Sequence, residues 1–344
     1  MGITDIKTPK ISIVIPVYKV EDYISRCYNS ITKQTFTNIE CIFVDDCSPD
    51  NSINILNSLV DQYSGAILFS IIRHDKNKGP SAARNTGINN AAGEYIYFLD
   101  SDDEATENCM NSLAAVANKY QDVDIVQGNS LKVSSESKNR YEIGHRNFPE
   151  YSEDQSWVKK LFFTTPGIPK QSTNKLIRRG FIIDNDLYFR EGINIHEDTH
   201  FVFQMAQKIK SIAFTTDYCY IRYSDNPDSI MNSKNALKSL QFWQILLSDM
   251  LTNIDAEIKK ESYNYIYKIL RKNMLTEQIT SDSHLLLKYK KIVKKCLKNA
   301  FSSLDLLKGF GLLFFLFPYN IYSSYIPRKF INRLLRVGKI SNAG

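Results

Sequence analysis

Acidic residues follow one of the short apolar segments of this sequence. Phe98 and Leu99 end that segment, and Asp100, Asp102 and Asp103 come directly after it, with one serine between them. Closely spaced carboxylates repel one another unless a cation lies between them. Their hard oxygen atoms suit Mg²⁺ or Mn²⁺, which are commonly held by one or two carboxylates together with substrate phosphates. The segment therefore predicts a divalent metal site that could neutralise a departing diphosphate.

The same acidic segment also has a simpler interpretation. Asp102 and Asp103 could cap the helix that follows, and capping is compatible with metal binding. A second acidic pair, Glu197 and Asp198, stands at the start of a helical pattern that ends at Lys208. These two carboxylates could likewise be a cap that complements the helix dipole. A function for either pair therefore depends on what surrounds it.

The elements that position these acids alternate between strands and helices. Apolar, β-branched segments predict strands at residues 11–17, 40–44, 66–73 and 95–99, and amphipathic segments predict helices at 21–32 and 53–63, with a loop entering a small-residue helix at 79–92. This alternation is typical of βαβ units and of a mainly parallel sheet. Ligands bind at the carboxyl ends of such strands. Asp45, Asp46 and Asp100 all lie at predicted strand ends, so we expect them to converge.

Composition and charge limit the class of protein. Hydrophobic residues make up 43% of the 344 residues and charged residues 23%, which is ordinary for a globular protein with a buried core. Residues 288–344 carry twelve Lys or Arg and one acid, whereas residues 1–287 have a net charge of −5. Because the basic residues are confined to the tail, we expect no nucleic-acid partner and a local anionic partner for the tail.

The C-terminal region carries the strongest membrane signal. Residues 309–327 contain no charge, but Pro318 and Asn320 interrupt their apolar character, and cationic residues flank the stretch. Such a segment favours attachment in the plane of a membrane over a transmembrane helix, although it could also pack on the body of the protein. The N-terminus shows no signal peptide, and the six cysteines form no CxxC pair, as expected for free thiols in the cytosol. The predicted location is cytoplasmic, attached peripherally to the inner membrane.

Four ordered motifs then resemble a known family. Ile13 to Tyr18, Val44 to Asp50, Gly79 to Gly87 and Phe98 to Asp103 follow the order and spacing of the family 2 inverting glycosyltransferases, which have the GT-A fold. The resemblance resumes at Asn174-Lys175-Leu176 and through Phe189 to Phe201. One departure is Cys47, which stands where the family often has glycine. The resemblance extends to the bacterial transferases that build surface polysaccharides.

This resemblance implies a fold and three regions. The expected fold is α/β, a GT-A domain with a mainly parallel, Rossmann-like sheet, flanking helices and a C-terminal helical extension. Residues 1–113 would form the nucleotide-sugar-binding half and residues 114–233 the acceptor-binding half. Residues 234–344 would be the helical, basic and membrane-associating region.

The resemblance also assigns roles by position. Asp102 would bind Mn²⁺ or Mg²⁺, and Asp100 would contact the ribose and sugar and share in the metal site. Asp46 would hydrogen-bond the base, with Asp45 ranked second, and Asp103 is left without a firm role. The remaining residues expected to bind the nucleotide sugar are Pro16, Val17, Tyr18, Glu21, Gly79, Ser81, Arg84, Ser101 and Arg222.

An inverting transfer needs a base that takes a proton from the acceptor hydroxyl. The family places an acid on the acceptor side for this purpose, and Asp198, with Glu197 beside it, matches that position. The expected reaction is transfer of a sugar from a nucleotide-diphosphate donor, with UDP the expected nucleotide, to a glycan or lipid-linked glycan. Two ambiguous residues are Arg222, near the diphosphate or in an edge strand, and Lys175, an acceptor contact or a solvated surface residue.

Three other functions compete with this one. A nucleotidyltransferase could share the sheet and the acidic metal site but would release pyrophosphate, and a non-catalytic protein could bind the nucleotide sugar without turnover. His196 to His200 also satisfies the H-E-x-x-H pattern of zinc proteases. That pattern needs a third ligand downstream, and the next histidine is His284. The protease is therefore the weakest of the three.

Overall fold

The computed structural model describes residues 10–133, 140–143, 148–163, 168–223, 236–250, 252, 254–259, 261, 262, 265, 266 and 287. The chain divides into two compact units, residues 1–234 and 235–344. The candidate site lies in the first unit. The predicted boundary at residue 113 falls inside a helix of that unit, so the two predicted halves stay a functional prediction.

The first part of the first unit alternates strands with helices. Its elements are β1 (Ile11–Val17), α1 (Ile24–Thr32), β2 (Ile39–Asp45), α2 (Ser52–Asp61), β3 (Leu68–Arg73), α3 (Pro80–Asn90) and β4 (Tyr95–Phe98). The β-branched and aromatic residues of β1, β2 and β4 are almost entirely buried, which explains why these strands lack a polar face. The strand and helix pattern predicted from the sequence is confirmed here.

The second part of the unit is more mixed. Its elements are β5 (Glu104–Ala105), α4 (Cys109–Lys119), β6 (Ile125–Val133), β7 (Arg140–Ile143), β8 (Tyr151–Ser152), α5 (Gln155–Leu161), β9 (Lys175–Arg178), α6 (Arg179–Asp184), α7 (Glu197–Lys208) and β10 (Ile212–Tyr223). The next helix after the acidic segment begins at Cys109, so the alternative that Asp102 and Asp103 cap it is wrong. The chain instead passes from these acids into β5.

One sheet runs through the described part of the unit, in the order β3-β2-β1-β4-β9-β6-β10-β5, with β7 on β6 and β8 on β10. The pairs β3–β2, β2–β1, β1–β4 and β6–β10 are parallel, whereas β9 is antiparallel to both β4 and β6. Strand β9 therefore joins two parallel blocks. This mixed, mainly parallel α/β sheet with flanking helices confirms the predicted fold class.

Helix α1 begins later than the sequence predicts, at Ile24 instead of Glu21. The Glu21 N–H donates to Asp50 Oδ2 at 3.0 Å, and the Glu21 carboxylate accepts from Asn51 N–H at 2.8 Å. Lys19 has φ 55°, in the left-handed region. These bonds fix residues 19–22 as a turn against the loop after β2 and delay the helix.

Helix α3 packs very closely on β1 because small residues face the strand. A Cβ atom at Gly87 would lie 2.1 Å from Val14 Cγ1, so only glycine fits there. Ala82 and Ala83 are also buried. This close approach brings the N-terminal half of α3 and its Arg84 beneath the strand ends.

The second unit contains helix α8 (Ala236–Met250), which buries Leu246 and Leu247, and a short 3₁₀ helix at Ala256–Ile258. Within the described residues, no helix is both long enough and apolar enough to span a bilayer. The segment 309–327, where membrane attachment is predicted, lies outside the described residues.

Candidate active site

The carboxyl ends of β1, β2 and β4 meet at one edge of the sheet. Asp46 N–H donates to the Val17 carbonyl at 3.0 Å, and Leu99 N–H donates to the Val14 carbonyl at 3.1 Å. The acids after β2 and β4 therefore flank the end of β1, as the sequence predicts. Tyr18 follows β1 and is 41% exposed, an accessible aromatic ring at this edge.

Asp46 is held by the loop that precedes α3. Its Oδ1 accepts from Lys78 N–H at 2.8 Å and lies 2.7 Å from His74 Nδ1, while its Oδ2 accepts from Gly79 N–H at 2.7 Å. His74 Nε2 in turn lies 2.9 Å from Thr86 Oγ1. Asp46 thus shapes the glycine loop, and its Oδ2, which accepts a single bond from the described residues, has capacity for a second.

Asp45 is fully buried beside it and stabilises the turn that follows. Its Oδ1 accepts from Ser48 N–H at 2.8 Å, and its Oδ2 lies 3.2 Å from Arg73 Nε. Cys47, between Asp46 and Ser48, has φ 57°, a left-handed conformation that favours glycine. The departure from the family pattern at this position is therefore a source of backbone strain, and it removes no polar group.

Gly79 and Ser81 contact the segment that precedes α7. Gly79 has φ 87°, and a Cβ atom there would lie 2.3 Å from Asn194 Oδ1. Ser81 Oγ donates to the Ile193 carbonyl at 2.8 Å and is fully buried. Asn85 adds a reciprocal pair with Phe189, donating to its carbonyl and accepting from its N–H, each at 2.9 Å.

Arg84 connects the two acidic segments found in the sequence. Its Nη2 donates to Asp100 Oδ1 at 2.9 Å, and its Nη1 donates to Glu197 Oε1 at 3.0 Å. The side chain is 5% exposed and lies over the ring of Phe189. Burial opposes its charge, but the carboxylates of Asp198, Asp100 and Glu197 together raise the pKa of Arg84. The guanidinium is therefore a permanent cation between the segments, and its buried Nε–H has no acceptor among the described residues.

The acids after β4 have different surroundings. Asp100 is 34% exposed at its side chain, whereas Asp103 is buried. Tyr220 O–H donates to Asp103 Oδ2 at 2.6 Å, and Tyr223 N–H donates to its Oδ1 at 2.8 Å. Burial and the charges of Asp100 and Asp102 raise the pKa of Asp103. Asp103 therefore ties the acidic turn to β10, a role that the sequence did not predict.

Arg26 of α1 fixes the same turn from the other side. Its Nη2 donates to the main-chain carbonyl of Asp102 at 2.6 Å, and its Nε lies 3.3 Å from Glu104 Oε1. The guanidinium stacks 3.6 Å from the ring centroid of Tyr223. The backbone at Asp102 is therefore held, while its carboxylate is half-buried.

The acidic turn fits a Mg²⁺ or Mn²⁺ ion that completes its shell with phosphate oxygens. Within the described residues, no three His, Cys, Asp or Glu side chains are grouped to hold a metal by themselves. An ion bound through one or two carboxylates and a diphosphate needs no such group. The half-buried carboxylates of Asp100 and Asp102, next to the buried Ser101, supply hard oxygen ligands of the appropriate kind.

Asp198 is the second residue of α7 and follows Glu197. Ser172 Oγ donates to Asp198 Oδ1 at 2.5 Å, and Ser172 N–H donates to the same oxygen at 3.3 Å. No described residue donates to Asp198 Oδ2. Burial and the charge of Asp198, against the influence of Arg84, raise the pKa of Glu197 to about 7. Glu197 is buried, whereas Asp198 is half-buried and its Oδ2 accepts no hydrogen bond from the described residues.

Lys175, at the start of β9, is neither a solvated surface residue nor placed to contact an acceptor. Its side chain is fully buried, and its Nζ donates to the carbonyls of Gln171 at 2.7 Å and Pro169 at 3.1 Å. Burial lowers the pKa of Lys175 to about 7, against the attraction of Asp198 and with the repulsion of Lys170. Both sequence interpretations of this lysine are therefore wrong.

Arg222 is half-buried in β10, between the two tyrosines that bind Asp103. Its register partner is Lys132 of β6. It therefore lies in the strand that supports the acidic turn, which is compatible with the predicted place near a diphosphate.

The zinc-protease interpretation of His196 to His200 has little support from this geometry. The glutamate that such an enzyme uses as its base, Glu197, is committed to an ion pair with Arg84. His200 is buried on α7, and His196 lies before the helix with φ 69°. The pattern arises here from the start of a helix that packs into the core.

Comparison with known proteins relates the chain to one family. A family model described as Glycosyl transferase family 2 matches residues 12–181. Over 214 residues the chain is 34% identical to the poly(ribitol-phosphate) beta-glucosyltransferase of Bacillus spizizenii. The match covers 61% of this chain and 32% of that protein. The matched part of this chain thus spans about a third of the length of that relative.

Two solved structures share the fold. The crystal structure of Staphylococcus aureus TarS 1–349 in complex with UDP-GlcNAc superposes with a TM-score of 0.72 at 19% identity, covering 89% of this chain and 87% of that one. The mannosyltransferase PcManGT from Pyrobaculum calidifontis, in complex with GDP-Man and Mn²⁺, gives 0.53 at 15% identity, covering 95% and 84%. These likenesses confirm the GT-A architecture.

Proposed function

Because this chain belongs to glycosyl transferase family 2, we propose that it is a nucleotide-sugar glycosyltransferase that transfers a sugar from a UDP-type donor with inversion at the anomeric carbon. The acceptor is a hydroxyl of a glycan or lipid-linked glycan of a bacterial surface polysaccharide. The observation that carries the proposal is Arg84, whose two Nη atoms bind Asp100 and Glu197. This ion-pair network supports the proposal because it joins the turn that would bind the metal to the start of α7, which carries the proposed base.

The donor lies along the edge of the sheet at the ends of β1, β2 and β4. Pro16, Val17 and Tyr18 line the base pocket, Glu21 supports its rim, and Asp46 Oδ2 accepts a hydrogen bond from the base. The loop of Gly79 and Ser81 passes beneath the sugar nucleotide. The guanidinium of Arg84, fixed by Asp100 and Glu197, supplies a positive charge near the diphosphate.

Asp102, with Asp100, would hold Mn²⁺ or Mg²⁺ at the diphosphate. When bound, such an ion neutralises charge on the departing diphosphate as a Lewis acid. The fixed backbone of the turn supports this role, because Arg26 holds the Asp102 carbonyl and Tyr220 holds Asp103. The chain's own residues thus place the carboxylates before a donor arrives.

Asp198 is the general base of the transfer. Its Oδ2 takes the proton of the acceptor hydroxyl while the oxygen forms a bond to C1 of the sugar, and the bond from C1 to the diphosphate oxygen breaks, the diphosphate leaving with the electron pair. Ser172 holds the other oxygen at 2.5 Å, which orients the carboxylate. Glu197 acts beside it by fixing Arg84.

The acceptor class follows from relatives rather than from geometry. The Bacillus spizizenii relative is named for transfer to poly(ribitol-phosphate), and a repeating polyol phosphate presents the hydroxyls that Asp198 would deprotonate.

We further propose that residues 288–344, with a net charge of +11, attach the enzyme to the cytoplasmic face of the inner membrane. Flotation with anionic and neutral vesicles tests this attachment. Equal recovery with both kinds of vesicle would contradict it.

A panel of nucleotide sugars tests the reaction. The expected result is release of UDP from one donor, in the presence of Mn²⁺ or Mg²⁺ and an acceptor glycan, with loss of the release after chelation. Pyrophosphate release from a nucleoside triphosphate would favour the nucleotidyltransferase alternative, and donor binding without release would favour the non-catalytic one. Metal-dependent cleavage of a peptide would favour the protease.

A further inference from the structure

The ammonium of Lys175 contacts several main-chain carbonyls of one loop, residues 169–173. Its Nζ lies within hydrogen-bond distance of the carbonyl oxygens of Pro169, Gln171 and Thr173, at 3.1, 2.7 and 3.5 Å. A lysine ammonium has three donors and no acceptor, so three carbonyls satisfy it fully. The buried charge is therefore paired with the loop backbone, and the loop is folded around it.

The end of the same loop is fastened to β6. Asn174 has φ 57°, and its Nδ2 donates to the Gly128 carbonyl at 2.7 Å. Its own carbonyl accepts from Gln127 Nε2 at 2.9 Å. With this end fixed, the path of residues 169–173 depends on the contacts of the lysine ammonium.

Ser172 lies within this loop and is fully buried. Both its hydroxyl and its N–H point at Asp198 Oδ1, at 2.5 and 3.3 Å. Because both donors belong to one residue, a small displacement of the loop would break both bonds. The orientation of Asp198 thus depends on where the loop places Ser172.

We propose that Lys175 is a positioning residue for Asp198, because its ammonium draws together the carbonyls of residues 169–173 and so presents Ser172 to the carboxylate. This inference rests on the proposed function, in which Asp198 is the base. Without the ammonium, the buried carbonyls would lack a donor and would have to turn toward water. The loop would then relax and Asp198 would lose its fixed orientation.

Two single variants test the inference. Lys175→Met keeps the length of the side chain but removes the charge, and Ser172→Ala removes only the hydroxyl. A hydrogen bond to a charged group is worth enough to change a rate by about 10- to 100-fold. We expect each variant to lose kcat by about that factor. Donor affinity, measured by titration calorimetry with the UDP-sugar and Mn²⁺, should stay at the wild-type value.

A double-mutant cycle separates positioning from general damage. If Lys175 acts through Ser172, the double variant should be no slower than Lys175→Met. Losses of kcat that multiply would overturn the proposed route. Leu176→Ala is the matched control, since Leu176 is the next buried residue of β9. Leu176→Ala should lower the melting temperature about as much as Lys175→Met does, yet retain the wild-type kcat. If Leu176→Ala instead loses as much kcat as Lys175→Met, the loss in Lys175→Met is due to destabilisation.

Failure of the inference and failure of the proposed function give different results. If Asp198→Asn turns over at the wild-type rate, the proposed base is wrong. If Asp198→Asn is inactive but Lys175→Met has wild-type kcat, the inference is wrong and the function stands. Where Lys175→Met does not fold, Lys175→Gln replaces it, because its amide keeps two donors for the carbonyls. A kcat several-fold below wild type with unchanged donor affinity is expected, and wild-type kcat would overturn the inference.

Discussion

The proposed donor side of the site has its acids at the ends of parallel strands, whereas the proposed acceptor side has its acid at the start of a helix, held by a loop. Asp46 and Asp100 follow β2 and β4, whose neighbours fix their position through main-chain pairing. Asp198 follows no strand. Its orientation comes from Ser172, in a loop folded around the buried ammonium of Lys175. The proposed donor-binding edge is thus set by sheet topology, whereas the orientation of the proposed base depends on a few side chains.

Arg84 links the two sides, because it binds both Asp100 and Glu197. Arg84→Met should lower the free energy of unfolding by about 3 kcal/mol, because it leaves the buried carboxylate of Glu197 and the half-buried carboxylate of Asp100 without their cation. Arg84→Lys is the matched control. It keeps the positive charge but lacks the planar guanidinium that binds both acids, so its free energy of unfolding should fall by less than that of Arg84→Met. Urea unfolding measures both. Equal stability of Arg84→Met and wild type would show that the two sides are not joined through this residue.

Asp103 tests whether the donor side needs support beyond its strands. Asp103→Asn should cost about 1–3 kcal/mol of unfolding free energy, since a buried carboxylate loses charge-assisted bonds from Tyr220 and the Tyr223 N–H. It should also raise the Mn²⁺ concentration for half-maximal activity while leaving kcat at saturating Mn²⁺ near wild type.

Tyr220→Phe removes only the hydroxyl from the same contact. It should give a smaller loss of stability, about 1 kcal/mol, and the same direction of change in Mn²⁺ dependence. A lowered kcat at saturating Mn²⁺ in both variants would instead place Asp103 in the chemistry.

The sequence predicts the two sides unequally. Asp45, Asp46, Asp100 and Asp102 are visible because acids that close apolar strands converge wherever the sheet is parallel. Helix bounds near the site were less predictable, as for α1, because hydrogen bonds from another loop hold its first residues out of the helix.

The acceptor side is harder to predict because its contacts join distant residues. Ser172 and Asp198 are 26 positions apart, and Arg84 and Glu197 are 113 apart. A serine in a loop or a lysine at the first position of a short strand carries no periodic signal, so only the folded structure shows that Lys175 is buried. His74 was missed for the same reason, since its partners Asp46 and Thr86 come from two other segments.

The pH dependence of stability should reflect the shifted pKa values of Glu197 and Lys175, which both lie near the proposed base. The pKa of Glu197 is raised to about 7 from its ordinary value of 4.5, so its contribution to stability is present below pH 4.5 and lost as pH rises through 7. The pKa of Lys175 is lowered to about 7 from 10.5, so its contribution is present above pH 10.5 and lost as pH falls through 7. Both contributions are therefore smallest near neutral pH.

Two variants separate these contributions. Glu197→Gln should flatten the melting temperature between pH 4.5 and 7, and Lys175→Met should flatten it between pH 7 and 10.5. Thermal unfolding in a series of buffers measures both slopes. A variant that keeps the wild-type slope in its own range would show that its residue does not titrate there.

The smallest effect is expected at the strained turn on the donor side. Cys47 has φ 57°, so Cys47→Gly should raise the unfolding free energy by about 0.5–1 kcal/mol by relieving the left-handed conformation. Cys47→Ala keeps the strain and should give no gain. Chemical denaturation distinguishes the two variants, and an equal response would mean that the turn carries no strain of this kind.

The role of Asp198 as the base is tested most directly by the turnover of Asp198→Asn at saturating UDP-sugar and Mn²⁺, measured as UDP release in the presence of an acceptor glycan. If Asp198 is the base, kcat should fall by about 10²–10⁴-fold, the usual contribution of general base catalysis, while the donor binds with wild-type affinity. Wild-type turnover by this variant would contradict the assignment of the acceptor side and, with it, the proposed separation of donor binding from chemistry.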